Sequence, residues 1–309
     1  MEKGIAELSL ADYTHGGPAI RDAFSQALLQ GLQRYGFIIL RDHPISPAML
    51  DRAYELSVAF FSQSAEIKRR YIGGARGYVP FRTERAKDRS AADLKEFWQI
   101  GPERNDGVDR GATEPPNIWP ATPQGFKETF LALYAQLQKT GAIILEALTP
   151  GLELPRDYFA SLIADSNSVL RLLHYPPIPA DIEPGSLRSA PHEDINLLTL
   201  LVAAQGAGLE LLERNGHWLA VNADRNHIIV DSGDMLARLT NDVIPATTHR
   251  VVNPDGENVS RYSMPFFMHP NNDAMLSCLP SCIGSGAKYA DITAGAFLEQ
   301  RLRAIGLIA

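Results

Sequence analysis

The chain is poor in cysteine: Cys278 and Cys282, in Cys-Leu-Pro-Ser-Cys, are the only two among 309 residues. Two neighbouring thiols are too few for a disulfide framework or a zinc site of their own, so reduced thiols in a cytoplasmic protein are expected. Long apolar runs are missing too. None reaches the ~18 residues that a membrane span requires, and the opening MEKGIAELSL has no apolar core of signal-peptide length. No membrane partner is therefore expected. Positive charge is in deficit, with 29 lysines and arginines against 36 acidic residues and a formal charge of −7. That balance argues against a general nucleic-acid binder, which needs a basic face. There are no repeats, low-complexity tracts or obvious linkers.

What remains is an ordinary globular composition, 45% hydrophobic and 21% charged, long enough to bury a large core. Nothing divides it cleanly. The expectation is one domain over 1–309: an N-terminal helical and arm region to about 95, a core with supporting helices over about 96–285, and a terminal helix over about 286–309. Ile20, Phe24, Leu28 and Leu32 recur every four residues, predicting a helix that Gly36 ends, with Phe37–Leu40 following as a short strand. Ser46-Pro47 and Thr122-Pro123 both have the form of a capping residue before a helix-starting proline. The first precedes the apolar series Leu50, Tyr54, Val58, Phe61, and the second a long helix from Phe126 to Leu148. A shorter helix is expected over about 154–165, and Thr293 is a candidate cap for the last one. After about residue 168 the apolar runs shorten to strand length: Val169–Tyr175, Asn196–Val202, Leu209–Leu212, Trp218–Val221, His227–Val230, Met235–Leu239, Thr247–Val252 and Tyr262–Phe267. Turn residues such as Asn215-Gly216 and Asp255-Gly256 separate them. The fold class expected is mainly β, a sandwich or jelly roll with flanking helices.

One of those apolar runs has chemistry at its entrance. In Ser189-Ala-Pro-His-Glu-Asp-Ile-Asn196, His192 and Asp194 are two apart. On a strand they would project from one face and could grip a single ion. An isolated His-x-Asp is more often a hydrogen-bonded pair, so the case needs a third ligand. His217 sits at a turn, His227 and His269 at strand ends, and His174 before Tyr175-Pro-Pro; His249 lies inside a strand-like run. Twelve residues after His249, past the Asp255-Gly256 turn, comes Arg261-Tyr-Ser263. Arginine suits bidentate grip of a carboxylate and serine adds a hydrogen bond. The turn is expected to fold this strand back beside the one holding His249. Two histidines and one carboxylate that leave open positions on a metal suit non-haem Fe(II) and O2 chemistry; catalytic zinc is the alternative.

With these residues in view, the chain resembles the isopenicillin N synthase-like family of Fe(II)/2-oxoglutarate-dependent oxygenases. The matching text is His192-Glu-Asp194, Leu198-Thr-Leu-Leu201, Gly208-Leu209, Gly216-His-Trp218, Gly233-Asp-Met-Leu236, Thr240-Asn241, His249-Arg-Val-Val252 and Arg261-Tyr-Ser263, with Gly36-Phe37, Asp42-His43, Phe60-Phe61 and Arg76-Gly-Tyr78 earlier. The resemblance implies a double-stranded β-helix. It implies Fe(II) on His192, Asp194 and His249, with 2-oxoglutarate held by Arg261, Ser263 and Tyr175. It implies oxidation of a small molecule by O2, by hydroxylation, desaturation or ring closure, with release of succinate and CO2. Two positions depart from many plant members, Leu173 where asparagine is usual and Asn196 where glycine is usual. Both bear on substrate class, and Asn196 is a candidate to face the site. A same-fold Fe(II) oxidase that does not use 2-oxoglutarate, and a binding protein without turnover, are the alternatives.

The segment 66–96 holds nine basic residues against five acidic ones. It reads either as a solvated loop or as an arm over the barrel mouth that draws in an anionic substrate, with Arg76 and Arg82 as its contacts. Phe97 and Phe267 are candidates for apolar contact with the substrate. Trp218 is expected in the core, and Asp231 and Asp234 as hydrogen-bonded turn residues.

Overall fold

The computed structural model describes residues 4–85, 91–104, 107–108, 111, 114–202 and 207–304. The first third runs β1 (Ala6–Ser9), α1 (Leu10–His15), α2 (Pro18–Tyr35), β2 (Phe37–Arg41), α3 (Pro47–Phe61), α4 (Ala65–Arg69), β3 (Gly77–Val79) and β4 (Glu96–Ile100). Two helices follow, α5 (Phe126–Leu148) and α6 (Tyr158–Ile163). The last half is β5 (Val169–Tyr175), β6 (Ser189–His192), β7 (Leu198–Val202), β8 (Leu209–Leu212), β9 (Trp218–Ala220), β10 (Ile228–Ser232), α7 (Asp234–Leu239), β11 (His249–Val251), β12 (Arg261–Met268) and α8 (Ala294–Ala304). No helix among the described residues is long and apolar enough to cross a membrane.

Local chemistry explains most of the boundaries. Pro18 occupies the first turn of α2, and Gly36 ends it in the left-handed region at φ 67°, which a side chain rarely adopts. A Cβ on Gly36 would also strike Thr247. Phe24, Leu28 and Leu32 are buried as their spacing predicts, whereas Ile20 is exposed at the solvent end of the stripe. The Ser46 hydroxyl accepts from the Met49 amide and caps α3. Thr122 does not cap α5: the N-cap is Gly125, also left-handed, three residues later. The Thr293 hydroxyl accepts from the Ala296 amide at the start of α8.

The strands form two sheets. The larger has the order β1-β2-β10-β7-β12-β5-β4-β3, the smaller β6-β11-β8-β9. Three strands of the larger sheet come from the region expected to be helices and arm; β2 is the short strand expected after Gly36, whereas β1 and β3 carry no apolar run that announces them. Side chains alternate across the larger sheet. On β12, Tyr262, Met264, Phe266 and Met268 belong to the main core, which α2, α3 and α5 cover from outside. Arg261, Ser263 and Phe267 project from the other face. A second apolar cluster draws on both sheets: Phe37, Phe97, Leu173, Tyr175 and Ile229 from the larger, and Leu209, Leu211 and Val251 from the smaller. This is a double-stranded β-helix whose interior is partly apolar and partly charged.

The run Met235–Leu239 is not a strand. It is α7, with Met235, Leu236 and Leu239 buried, Asp234 in the first turn and Arg238 in the last. A five-residue apolar run carries no period that separates a buried strand from a buried helical turn, and charges that complement the helix dipole were the available cue. Trp218 is only half-buried, with the Arg250 guanidinium 3.9 Å above its ring centroid. Several basic side chains of 66–96 are buried and paired, although Arg69, Arg70 and Arg85 are exposed. Lys68 is buried against Glu96 at 2.8 Å, Lys95 against Glu84 and Asp93, and Arg76 against Asn167. Lys87, Asp88 and Arg89 lie outside the described residues.

Candidate active site

His192 ends β6, and β11 begins at His249. The two are register partners in the smaller sheet, with ring centroids 4.4 Å apart. Asp194 lies beyond β6, in the segment that crosses to the larger sheet, so its approach to His192 comes from that crossing and not from the strand pleat. Its Oδ1 is 3.6 Å from His192 Nε2 and 3.8 Å from His249 Nε2. One donor atom from each residue lies within 4.8 Å of the other two, the one such group of His, Cys, Asp and Glu side chains among the described residues. His192 faces the open side, with 37% of its side chain exposed, whereas Asp194 and His249 are buried.

The hydrogen bonds fix which imidazole nitrogen is free. His192 Nδ1 is 2.8 Å from the Ala190 carbonyl and His249 Nδ1 is 3.1 Å from the Thr247 carbonyl. A carbonyl only accepts, so both Nδ1 atoms carry a proton, and each imidazole in its neutral form presents an Nε2 lone pair. Burial, helped by the neighbouring His192, lowers the pKa of His249 to about 4 despite Asp194, which keeps it neutral. With both imidazoles neutral, two lone pairs and a carboxylate oxygen converge on one point. That arrangement is repulsive by itself and suits a cation at its centre; imidazole and carboxylate donors fit a divalent transition metal.

Surrounding residues hold the carboxylate in place. Thr199, on β7, donates its hydroxyl to Asp194 Oδ2, and the Asn196 amide donates to Thr199 Oγ1 at 2.8 Å. Asn196 is fully buried, its side chain engaged with Thr199 and packed against Gly233. A Cβ on Gly233 would collide with Asn196 and with the Asp194 carbonyl, so this close approach needs glycine. Asp231 is a β10 residue and not a turn residue; burial, then the adjacent Asp194 charge, pushes its carboxyl well above the usual range. On α8, Arg301 pairs with Asp234 at 2.7 Å and lies 3.8 Å from Glu193, which also accepts from Thr248.

Arg261 and Ser263 share a face of β12, with Nη1 3.4 Å from the serine hydroxyl. They do not sit beside His249. β12 pairs with β5 and β7 of the larger sheet, while β11 pairs with β6 and β8 of the smaller. The Asp255-Gly256 segment crosses between sheets instead of closing a hairpin. Tyr175 is the register partner of Arg261, and the guanidinium carbon is 5.2 Å from its ring centroid. Arg261 is one wall of a cavity of about 120 Å³ that Leu201, Leu209, Val221 and Ile229 also line. Burial lowers its pKa, its Nε has no partner, and no carboxylate pairs with it among the described residues. Arg188, also buried and without a carboxylate partner among those residues, contributes a second positive charge nearby. Uncompensated buried cations of this kind suit the carboxylate of a ligand.

Of the remaining sequence candidates, Phe97 and Phe267 face the same interior, whereas Arg76 is 3% exposed and occupied by Asn167. Arg82 is 3.7 Å from Asp181 towards the surface. Sequence reasoning missed Thr199, Arg188, Arg301 and a cluster formed by Glu84, Lys95 and Arg171. Thr199 and Arg171 did leave a signal, Thr199 as the one polar residue of β7 and Arg171 as the one charged residue within the apolar start of β5. Arg188 and Arg301 left none, because their partners are distant in sequence.

Family comparisons agree with this geometry. The 2OG-Fe(II) oxygenase superfamily model matches residues 166–270, and the N-terminal model of non-haem dioxygenases in morphine synthesis matches 7–122. A proline hydroxylase of Petromyces alliaceus, buaE, is 31% identical, covering 96% of this chain and 98% of its own. Among solved structures, an oxygenase of the same superfamily from Caulobacter crescentus is 42% identical with a TM-score of 0.88, over 98% of this chain and all of the other. A full-length protein from Neurospora crassa, in complex with alpha-KG and thymine, is 30% identical with a TM-score of 0.87, over 97% and 96% of the two chains. This chain therefore belongs to the 2OG-Fe(II) oxygenase superfamily, whose members use Fe(II), 2-oxoglutarate and O2.

Proposed function

We propose that His192, Asp194 and His249 hold Fe(II), that Arg261, Ser263 and Tyr175 receive the far carboxylate of 2-oxoglutarate, and that the enzyme hydroxylates a small molecule. The observation that carries this reading is the convergence of two Nε2 atoms and one carboxylate oxygen, with both Nδ1 atoms turned to backbone carbonyls. Bound there, Fe(II) with 2-oxoglutarate and O2 supplies the oxidising chemistry, and 2-oxoglutarate becomes succinate and CO2. The chain's own residues position and shield. The Ala190 and Thr247 carbonyls fix both imidazole tautomers, and Thr199 orients the carboxylate. Arg261 receives an anion without a competing carboxylate among the described residues. Phe37, Leu209, Leu211 and Val251 exclude water. No protein group need act as a general base.

The whole chain acts as one oxygenase domain in this reading, because β1, β2 and β3 complete the larger sheet. Two free, buried thiols, Cys278 and Cys282, favour the cytoplasm. The Neurospora relative in complex with thymine supports a substrate of similar size. Anaerobic titration with Fe(II), then with 2-oxoglutarate, followed by succinate release in air, tests the assignment. Asp194→Ala is expected to lose Fe(II) binding; Fe(II) binding undiminished in that variant would overturn the ligand set.

A further inference from the structure

We propose that Arg171 anchors the primary substrate, and that this substrate is an uncharged planar ring bearing a carbonyl oxygen. The proposal rests on the oxygenase reading above and adds to it the class of molecule oxidised. Arg171 lies on β5, opposite Gln99 of β4 and on the same face as Leu173 and Tyr175, towards the interior. Its guanidinium carbon is 4.2 Å from the Phe97 ring centroid and 5.3 Å from that of Phe267. Phe267 is in turn the register partner of Thr199, whose hydroxyl holds Asp194. Arg171 is therefore linked through Phe267 and Thr199 to Asp194, one of the candidate iron ligands.

The two interior arginines differ in charge environment, and that difference carries the assignment. Arg261 has no internal counter-ion among the described residues. Arg171 donates from Nη1 to both Glu84 oxygens at 3.3 Å and from Nη2 to Gln99 Oε1 at 3.0 Å. Glu84 also takes Lys95 at 2.7 Å, and Lys95 takes Asp93 at 2.8 Å. Two cations and two anions balance. An anionic substrate would add an uncompensated charge to this desolvated cluster, which is unfavourable. A neutral acceptor would not. Arg171 Nε is buried without a partner among the described residues, leaving one N–H to donate to a carbonyl oxygen. The phenyl rings beside it favour a flat ligand that stacks. The unpaired arginine thus suits the dianionic co-substrate, and the neutralised one suits an uncharged ring.

The test is anaerobic calorimetry on the full-length enzyme loaded with Fe(II) and 2-oxoglutarate. It is titrated with three uncharged ring amides (thymine, 2-pyridone and quinolin-4-one) and two carboxylates (proline and benzoate). At least one ring amide is expected to bind more tightly than either carboxylate. Arg171→Gln is expected to weaken it by about tenfold or more, the loss typical of an unmade hydrogen bond to a ligand. Affinity for 2-oxoglutarate should stay within about twofold, because Arg171 does not touch that pocket. Arg171→Lys, which keeps the charge opposite Glu84, should lose ring binding similarly, and Phe267→Leu should weaken it by less. A carboxylate preferred over every ring amide, no ring amide bound at all, or unchanged ring affinity in Arg171→Gln would each overturn the proposal. Failure to bind 2-oxoglutarate in the unsubstituted enzyme would instead overturn the oxygenase reading.

Discussion

At the scale of single residues, the site depends on hydrogen bonds that aim donors more than on the donors' presence. Thr199 is the clearest case. Its hydroxyl is the contact that orients Asp194, and Asn196 orients the hydroxyl. Replacing it with valine keeps the shape and removes the bond. Thr199→Val is expected to lower metal affinity by about 10-fold, the lower end for a partner of a metal ligand, with melting temperature little changed; equilibrium Fe(II) or Mn(II) titration reads the effect. Arg261→Lys should raise the 2-oxoglutarate dissociation constant by about 10-fold or more, since an ammonium cannot reproduce the bidentate fork, while metal affinity holds; calorimetry with the co-substrate checks it. The histidine, aspartate and arginine positions were legible in the sequence because metal and carboxylate chemistry restrict residue type. The support that Asn196 gives Thr199 was not legible, since a polar residue next to ligands looks the same whether it faces the cavity or supports the wall.

At the scale of elements, α8 reaches back to the candidate metal-binding segment. Arg301 bridges Asp234 at the start of α7 and Glu193 between two candidate ligands. Arg301→Ala is expected to leave the fold intact and weaken metal binding a few-fold, because it releases a buried carboxylate beside the crossing segment. Metal titration alongside circular dichroism separates that outcome from unfolding. Long elements were predictable here: the period of α2, α3 and α5 extends over several turns, and capping at Ser46 is chemical. Short ones were not. α7 has too few residues to express a period, and the cap at Gly125 depends on a left-handed residue that no side-chain pattern announces. The pairing of β11 and β12 was misjudged for a related reason. A turn signal between two strands says that the chain reverses, not that both strands join one sheet.

At the scale of the whole molecule, charge inside the β-helix links stability to pH. Burial alone would raise the Glu84 pKa, but Arg171 and Lys95 outweigh it and hold the carboxyl down to about 2, against an ordinary 4.5. A carboxylate depressed in the folded state stabilises above its unfolded pKa and loses that contribution as pH falls towards the folded value. Stability should therefore decline from about pH 4.5 down towards 2, and the deficit of Glu84→Gln relative to the unsubstituted chain should shrink across that window. Thermal melts at a series of acidic pH values measure it; a deficit that widens on acidification would contradict the pairing. None of this charge balance was visible in the sequence, where Glu84 and Lys95 looked like part of a basic arm and Arg171 was one polar residue of a strand.

The division of the site between two sheets has a mechanical consequence. The imidazoles belong to the smaller sheet and Arg261 to the larger, with Asp194 on the segment that joins them. A dicarboxylate that reaches from the metal to that arginine would rivet one layer to the other. Metal and co-substrate together should accordingly raise the unfolding temperature by more than the sum of their separate effects, because only the pair bolts both halves of the shell.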